Sequence, residues 1–139
     1  MPVDEARRTL PRGSRVRRSR EVRRAFDLGR PGAAGPVVVY AFDRGDALPA
    51  RYALVVGRRW GGAVERNRVR RLLREAFRLE RPGLPAGFDC VLVPRSDVAS
   101  VTLAALRDDV RTAARSAARR FRREGPGAPR PDAGRKRRR

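Results

Sequence analysis

The amino-acid sequence predicts one small domain of the α+β or α/β class, in which helices pack on a single sheet. Three observations predict this fold. The length of 139 residues suits one compact domain with tails. Residues 36–42, 52–56 and 88–93 have the apolar and β-branched composition of strands. Segments before, between and after them have helical periodicity, and the order helix, two or three strands, helix, strand, helix is typical of a layered sandwich.

The first predicted element is a short helix over residues 20–28. Ser19 before it is a favourable N-cap residue, and Gly29 stands where a helix ends. The apolar residues Val22, Ala25 and Phe26 lie on one side of this helix. The segment therefore has one face that can pack on the sheet.

Two strands are predicted next. The run 36–42 is rich in Val and aromatic residues, and turn residues follow at 43–46. The run 52–56 indicates a second buried strand, which we expect to pair with the first.

A long helix is predicted from Ala63 to Glu80, after the break at Gly61 and Gly62. Its apolar positions follow the spacing of a packed face and are Val69, Leu72, Leu73, Ala76 and Phe77. At about 100° per residue, a polar band about 100° wide lies on the far side and contains Arg70, Arg74, Asn67, Arg78 and Arg71. The helix is apolar toward the sheet and cationic on its other face.

The last two elements are a strand over residues 88–93 and a helix whose N-cap is Thr102 or Ser100. One stripe of that helix is apolar and contains Leu103, Leu106, Val110, Ala113, Ala117 and Phe121. Residues 1–9 and 124–139 contain little that can pack, and the second of these segments is rich in Gly, Pro and Arg. We therefore expect a domain over residues 10–123 between an N-terminal flexible tail and a disordered basic tail.

Charge is the strongest signal in the composition. Lys and Arg number 35 against 15 Asp and Glu, for a net charge of +20. Nucleic acid is the expected partner, because cationic side chains release counterions from phosphates on binding. A membrane-surface protein is the alternative, but it requires an amphipathic helix with bulky apolar residues opposite the charge.

Other residue types exclude several activities. Histidine is absent, so the usual general base, zinc ligand and Ser/His or Cys/His pairs cannot be built. The single cysteine, Cys90, excludes an intrachain disulfide, and its apolar surroundings predict a buried thiol. No run approaches the roughly 18 apolar residues of a membrane span, and we expect a soluble, cytoplasmic protein without a signal segment.

The region from Arg51 to Arg81 concentrates the charge. It contains ten Arg and three Glu, a local charge of +7. Guanidinium groups four residues apart on one helix face repel each other without a partner, and their planar fork suits phosphate. A solvated basic face is the alternative that charge alone leaves open.

The same region resembles the signature of the bacterial ribonuclease P protein subunit. The matching features are Arg66-Asn67-Arg68, the basic pair Arg70-Arg71 and the following Arg74-Glu75. Residues 51–59 are similar to the family's strand with its two basic residues, and residues 15–26 are similar to its opening segment. The resemblance covers roughly residues 10–122 in element order.

This resemblance implies an α+β sandwich of order α-β-β-β-α-β-α with a central four-stranded sheet. It also implies a left-handed βαβ crossover around the Arg-Asn-Arg helix, against the usual right-handed preference. In the family the catalytic RNA holds Mg²⁺ and removes the 5′ leader of precursor tRNA, so no catalytic residue and no protein-bound cofactor or metal is expected in the chain. The implied partners are ribonuclease P RNA, in a 1:1 complex with a monomeric protein, and precursor tRNA, without a membrane.

The resemblance also implies two groups of binding residues. Those expected to bind the catalytic RNA are Arg58, Arg59, Arg66, Asn67, Arg68, Arg70, Arg71 and Arg74. Those expected to line a cleft for the leader are Arg17, Arg18, Val22, Phe26 and Tyr40. The sequence departs from the family at Val22, where an aromatic residue is usual, so we expect weaker stacking there. Ordinary core packing is the alternative for Phe26 and Tyr40.

Two other functions remain open at this point. A ribosomal or general RNA-binding protein would explain the charge, although the Arg-Asn-Arg helix argues against it. A protein-only nuclease would need a carboxylate cluster that holds metal. The adjacent acidic pair Asp108-Asp109 is the available candidate, and only one of the two can face the sheet.

Overall fold

The computed structural model describes residues 13–129. Its helices are α1 (Ser19–Leu28), α2 (Ala63–Glu80) and α3 (Leu103–Glu124), and its strands are β1 (Arg30–Ala34), β2 (Val37–Asp43), β3 (Arg51–Leu54) and β4 (Phe88–Pro94). Short 3-10 turns lie at Arg58–Trp60, Arg81–Gly83 and Val98–Ser100. The order α-β-β-β-α-β-α confirms the predicted α+β fold, and α2 has the predicted bounds. The N-terminal tail 1–9 and residues 130–139 of the basic tail lie outside the described residues.

The four strands form one mixed sheet in the order β1-β2-β4-β3. β2 is antiparallel to both β1 and β4, and β3 is parallel to β4. The prediction that the strand near residue 52 pairs with the one near residue 37 is therefore wrong. β4 separates them, because its run Cys90–Leu92 is buried on both faces of the sheet and takes a central place. The unit β3-α2-β4 is the predicted βαβ crossover, and its hand stays a prediction.

The two faces of the sheet are covered unequally. α2 and α3 pack on one face and bury the larger core, which includes Leu73, Phe77, Leu92, Leu106 and Phe88. α1 packs on the other face over a smaller cluster centred on Tyr40 and Val91. α1 covers this second face with ten residues, whereas α2 and α3 together supply forty residues over the first face. Part of the second face therefore stays accessible.

The helix ends agree with the sequence in part. The hydroxyl of Thr102 accepts a hydrogen bond from the amide of Ala105, and Gly29 follows the last residue of α1, as predicted. Ser19 was expected to cap α1, but it is the first helical residue, and Arg18 before it makes no side-chain cap. Leu103 was expected on the buried stripe of α3 but is 40% exposed, because the core contacts of α3 begin one turn later at Leu106.

The ordered chain continues past residue 124, where the disordered tail was predicted to begin. Gly127 donates its amide to the carbonyl of Leu28 at 2.7 Å. The Arg30 guanidinium donates to the carbonyls of Gly125 and Pro126 at 2.8 and 3.1 Å. These hydrogen bonds attach the segment after α3 to the end of α1, and composition alone does not reveal such long-range bonds. Within residues 13–129, no helix combines the length and apolar character needed to cross a membrane.

Candidate RNA interface

The polar surface of α2 carries a cationic ridge, which we define as Arg66, Asn67, Arg68, Arg70, Arg71 and Arg74. The ridge is held rigidly because the opposite face of α2 is buried at Val69, Leu73, Ala76 and Phe77. Gly62 is the N-cap residue of α2, and its amide donates to the Glu65 carboxylate at 2.9 Å. Gly61 before it has φ +112°, a conformation that side chains rarely adopt. The turn into α2 thus depends on glycine at position 61.

The arginines of the ridge make few contacts with other side chains in the part of the chain that the structure describes. Arg70 donates to the Asn67 side-chain oxygen at 3.0 Å, and Arg66 donates to the Gly62 carbonyl at 3.4 Å. Among residues 13–129, the ridge arginines form no ion pair. Arg78 one turn on is different, because it binds Glu75 and lowers the pKa of that carboxyl group. The ridge therefore presents uncompensated positive charge to solvent.

Arg58 and Arg59 extend this charge toward the sheet. They lie in the exposed 3-10 turn between β3 and α2, and within residues 13–129 neither has an acidic partner. The Arg59 guanidinium stacks over the Trp60 ring at 4.7 Å from its centroid. Stacking of this kind holds the guanidinium plane while leaving its N–H groups available. All eight residues predicted to bind the catalytic RNA thus lie on or next to α2.

A second candidate surface is the cleft between α1 and the sheet. Half-buried apolar side chains line it, and they are Val22, Phe26, Val38, Phe42, Val55 and Val93. Tyr40 lies at its centre and is 9% exposed. The Phe26 and Tyr40 rings meet edge to face, with centroids 4.7 Å apart and planes at 60°. The structure therefore brings Val22, Phe26 and Tyr40 together.

Arg17 and Arg18 are exposed in the segment that leads into α1. Most of the Tyr40 ring is buried, as the alternative of core packing requires, whereas Phe26 keeps part of its ring accessible. The valines Val38, Val55 and Val93 were not predicted as cleft residues. The two-residue alternation of side chains along each strand places them on the same face as Tyr40 and is the signal that could have identified them.

A buried carboxylate that the sequence analysis missed lies at one end of this cleft. Asp89 of β4 is 0% exposed and accepts hydrogen bonds from Arg44 and Arg51. Arg24 of α1 lies 3.7 Å from the same carboxylate and stacks over the Phe42 ring, at 4.6 Å from its centroid. The hydrogen bonds to Asp89 raise the pKa of Arg51. This ion-pair network joins α1 to the sheet and so sets the position of the cleft wall.

A pocket lined by Arg24, Arg44, Arg51 and Arg81 lies next to the Asp89 network. Burial by itself would lower the pKa of Arg44, but hydrogen bonds to Asp46 and Asp89 outweigh that effect and raise it. The first three arginines bind carboxylates within the protein, in contrast to those of the ridge. The pocket is therefore held together by internal ion pairs.

Neither of the remaining chemical candidates forms a site. Cys90 is buried, as predicted, and burial raises the pKa of its thiol to about 12. Within residues 13–129, no three His, Cys, Asp or Glu residues are grouped so that they could hold a metal ion. Asp108 is exposed and binds Arg111, so the acidic pair on α3 does not belong to a cluster.

Comparison with known proteins gives one consistent result. The family model described as Ribonuclease P matches residues 10–118. A ribonuclease P protein component from Oleidesulfovibrio alaskensis is 42% identical over 97 residues, which cover 68% of this chain and 78% of the relative. One from Chloroflexus aurantiacus is 38% identical over 109 residues, which cover 78% of this chain and 80% of the relative.

Solved structures show the same fold. The RNase P protein from Thermotoga maritima superposes with a TM-score of 0.65 at 28% identity, over 73% of this chain and 96% of that protein. The RNase P protein from Staphylococcus aureus superposes with a TM-score of 0.61 at 22% identity, over 71% and 90%. The second likeness bears on the fold alone.

Proposed function

Because the chain belongs to the ribonuclease P protein family, we propose that it binds a catalytic RNA and the 5′ leader of precursor tRNA. In this role it assists the endonucleolytic removal of the leader, which produces the mature 5′ end of tRNA. The RNA holds the Mg²⁺ and hydrolyses the phosphodiester bond, and the protein is the non-catalytic subunit of the holoenzyme. We further propose one protein monomer for each RNA.

The cationic ridge carries this proposal. Its arginines project from a helix whose other face is buried, and within residues 13–129 they have no carboxylate partner. Closely spaced guanidinium groups bind most strongly to an anion that presents several regularly spaced charges. The phosphate backbone of a folded RNA is such an anion. Contacts to shape and backbone should dominate over reading of bases, because an RNA helix exposes few base edges to side chains. Arg58 and Arg59 extend the contact toward the sheet.

The cleft is proposed to hold the single-stranded leader. Single strands bind to surfaces that combine cationic side chains with apolar or aromatic faces for the bases. Phe26 supplies the accessible ring, the half-buried valines supply the apolar floor, and Arg17 and Arg18 supply charge next to α1. Tyr40 contacts Phe26 edge to face and is proposed to hold the Phe26 ring in position for stacking.

The contribution of the protein to cleavage is electrostatic. Two RNAs repel each other, and a protein of net charge +20 between them lowers that repulsion. The same neutralisation favours binding of Mg²⁺ by the RNA at a lower Mg²⁺ concentration. High Mg²⁺ and high salt should therefore replace part of the protein's effect.

Reconstitution tests the proposal. Cleavage of a precursor tRNA is measured with the ribonuclease P RNA of the same organism, with and without this protein, over a range of Mg²⁺ concentrations. We expect the protein to accelerate cleavage strongly at low Mg²⁺ and weakly at high Mg²⁺. Equal activity with and without protein at low Mg²⁺ would refute the proposal, and so would cleavage by the protein in the absence of the RNA.

A further inference from the structure

The C-terminal half of α3 carries a second group of arginines on its solvent side. We define the α3 stripe as Arg115, Arg119 and Arg122. At about 100° per residue these three positions lie within a sector about 60° wide. The buried residues Val110, Ala113, Ala117 and Phe121 lie on the opposite side of the helix. The stripe is therefore held on a rigid element and directed away from the core.

Like the arginines of the ridge, the three arginines of the stripe form no ion pair with an acidic residue among residues 13–129. The side chain of Arg119 is exposed, and its guanidinium makes no hydrogen bond or ion pair with any of residues 13–129. Arg115 donates to the carbonyl of Gly83 at 3.1 Å, which leaves its charge uncompensated. Arg122 lies over the Phe88 ring at 5.1 Å from its centroid, a contact that orients the guanidinium without neutralising it.

The other arginines of α3 form ion pairs within the protein. Arg107 and Arg111 bind Glu80 at the end of α2, at 2.8 and 3.0 Å. Arg120 and Arg123 bind Glu124 at 3.3 and 3.2 Å. The pairs with Glu80 lie where the N-terminal half of α3 meets the end of α2, and the stripe lies in the C-terminal half of α3. The stripe is thus a distinct cationic surface.

We propose that the α3 stripe binds the phosphate backbone of a double-helical segment of the catalytic RNA, at a place different from the one that the α2 ridge binds. This inference rests on the proposed function, because it assigns a second contact to the same RNA. The three guanidinium groups follow one helix over about 10 Å, at the rise of about 1.5 Å per residue. A regular row of phosphates is the anion that such a straight, rigid row of charges can contact at several points at once.

The absence of accessible rings on the stripe favours a duplex over a single strand. Single-stranded nucleic acids bind through aromatic faces on which the bases stack. Phe88, which lies beneath Arg122, is 1% exposed, and Phe121 of α3 is 8% exposed. A duplex keeps its bases stacked internally and presents its backbone, so charge alone is enough to bind it.

Two double variants test the inference against a matched background. Arg115→Gln with Arg119→Gln removes two stripe charges and leaves Arg122 on Phe88. Arg120→Gln with Arg123→Gln is the control, because it removes two arginines of the same helix that already bind a carboxylate, that of Glu124. The affinity of each protein for the full-length catalytic RNA is measured as a function of salt concentration. The binding constant K falls as salt rises, and each phosphate contact contributes roughly 0.9 to the steepness of log K against log salt. We therefore expect the stripe variant to make this dependence less steep by about 2. The control variant should keep the steepness of the unmodified protein.

The charge-preserving variant Arg115→Lys with Arg119→Lys separates charge from local structure, and it should keep the original slope. If the stripe variant binds with an unchanged slope while ridge variants bind more weakly, this inference is wrong and the proposed function stands. If the unmodified protein itself does not bind the RNA, the proposed function fails first. Circular dichroism confirms that each variant is folded.

Localised cleavage of the RNA identifies what the stripe contacts. Arg119→Cys and Arg71→Cys provide separate attachment points for an iron–EDTA reagent, since Cys90 is buried and does not compete for it. In the assembled complex, radicals from position 119 should cut a base-paired segment that radicals from position 71 do not cut. Cuts at the same nucleotides from both positions, or cuts in single-stranded RNA alone, would overturn the inference.

Discussion

Arg51 holds the buried carboxylate of Asp89 through two hydrogen bonds, of 2.7 and 2.8 Å. The two residues are register partners on the parallel strands β3 and β4. Arg44 reaches the same carboxylate from the end of β2 at 2.8 Å, and Glu21 of α1 lies 3.7 Å from Arg51. Three strands and α1 therefore meet at one charged residue, and that residue lies at the end of the proposed leader cleft.

We predict that Asp89→Asn destabilises the protein strongly. The substitution leaves Arg44 and Arg51 without their shared counter-charge in a buried site, and breaking a buried ion pair in this way costs about 3–5 kcal/mol. The free energy of unfolding is measured by urea denaturation. Asp108→Asn is the control, because Asp108 is exposed and its pair with Arg111 is screened by solvent. Equal losses for the two variants would contradict the importance of the Asp89 network.

We predict that Gly32→Ala destabilises the packing of α3 on β1. A Cβ atom at Gly32 would lie 2.3 Å from the carbonyl oxygen of Ala113 and 2.6 Å from the amide nitrogen of Ala117, so the helix would have to move. Overpacking of this kind costs about 1–3 kcal/mol. Gly57→Ala is the matched control, because a Cβ atom at Gly57 would meet no atom of residues 13–129 within 4 Å, and its φ of −78° suits alanine. Thermal unfolding should show a lower Tm for the first variant alone.

We predict that Arg71→Gln with Arg74→Gln weakens RNA binding without destabilising the protein. Neither arginine forms an ion pair or a hydrogen bond with a carboxylate within residues 13–129, and removal of like charges on one helix face relieves repulsion of about 0.2–0.5 kcal/mol for each pair. The salt slope of RNA binding should fall by about 2. Arg78→Gln should instead lose a few tenths of a kcal/mol of stability, because Arg78 binds Glu75. A large loss of stability in the double variant would show that the ridge has a structural role.

We predict that Val22→Phe tightens the binding of precursor tRNA by the holoenzyme. The new ring would lie beside Phe26 in the cleft, and stacking of one base on an aromatic side chain contributes about 1–3 kcal/mol. The affinity for mature tRNA, which has no leader, should not change. Val22→Leu enlarges the side chain without a ring and controls for apolar contact. Equal tightening toward precursor and mature tRNA would place the leader elsewhere.

We predict that Cys90 resists thiol reagents in the folded protein. Burial raises the pKa of its thiol from 9.0 to about 12, so almost no thiolate forms at pH 8. In the unfolded chain the thiol ionises near pH 9. Ionisation of Cys90 therefore leaves the free energy of unfolding unchanged below pH 9 and lowers it progressively as the pH rises from about 9 to about 12. Labelling at pH 8 should be slow in buffer and fast in urea. Fast labelling in buffer would contradict the burial of this strand.

Local patterns were enough to predict the three helices, the strands β2, β3 and β4, and the cationic ridge, but not β1, whose residues 30–34 have no strand-like composition. The bounds of α2 follow from Gly61-Gly62 before it and Pro82-Gly83 after it, and its two faces follow from the helical repeat of 3.6 residues. The eight arginine and asparagine positions predicted around α2 therefore lie together. Six of them lie within one helix and two in the turn just before it, so their proximity requires no knowledge of the rest of the chain. The cleft residues Val22, Phe26 and Tyr40 needed the family resemblance as well, because core packing explains the same residue types.

The strand order, the Asp89 network and the attachment of residues 125–127 were decided only by the tertiary structure. β3 and β2 follow each other in sequence, yet β4 lies between them, since a strand that is apolar on both faces is most stable in the centre of the sheet. Asp89 in an apolar run gives no local sign that arginines from three other elements surround it. A periodic pattern indicates which face of one helix or strand is apolar. Which elements pack against that face depends on the free energy of packing the whole chain.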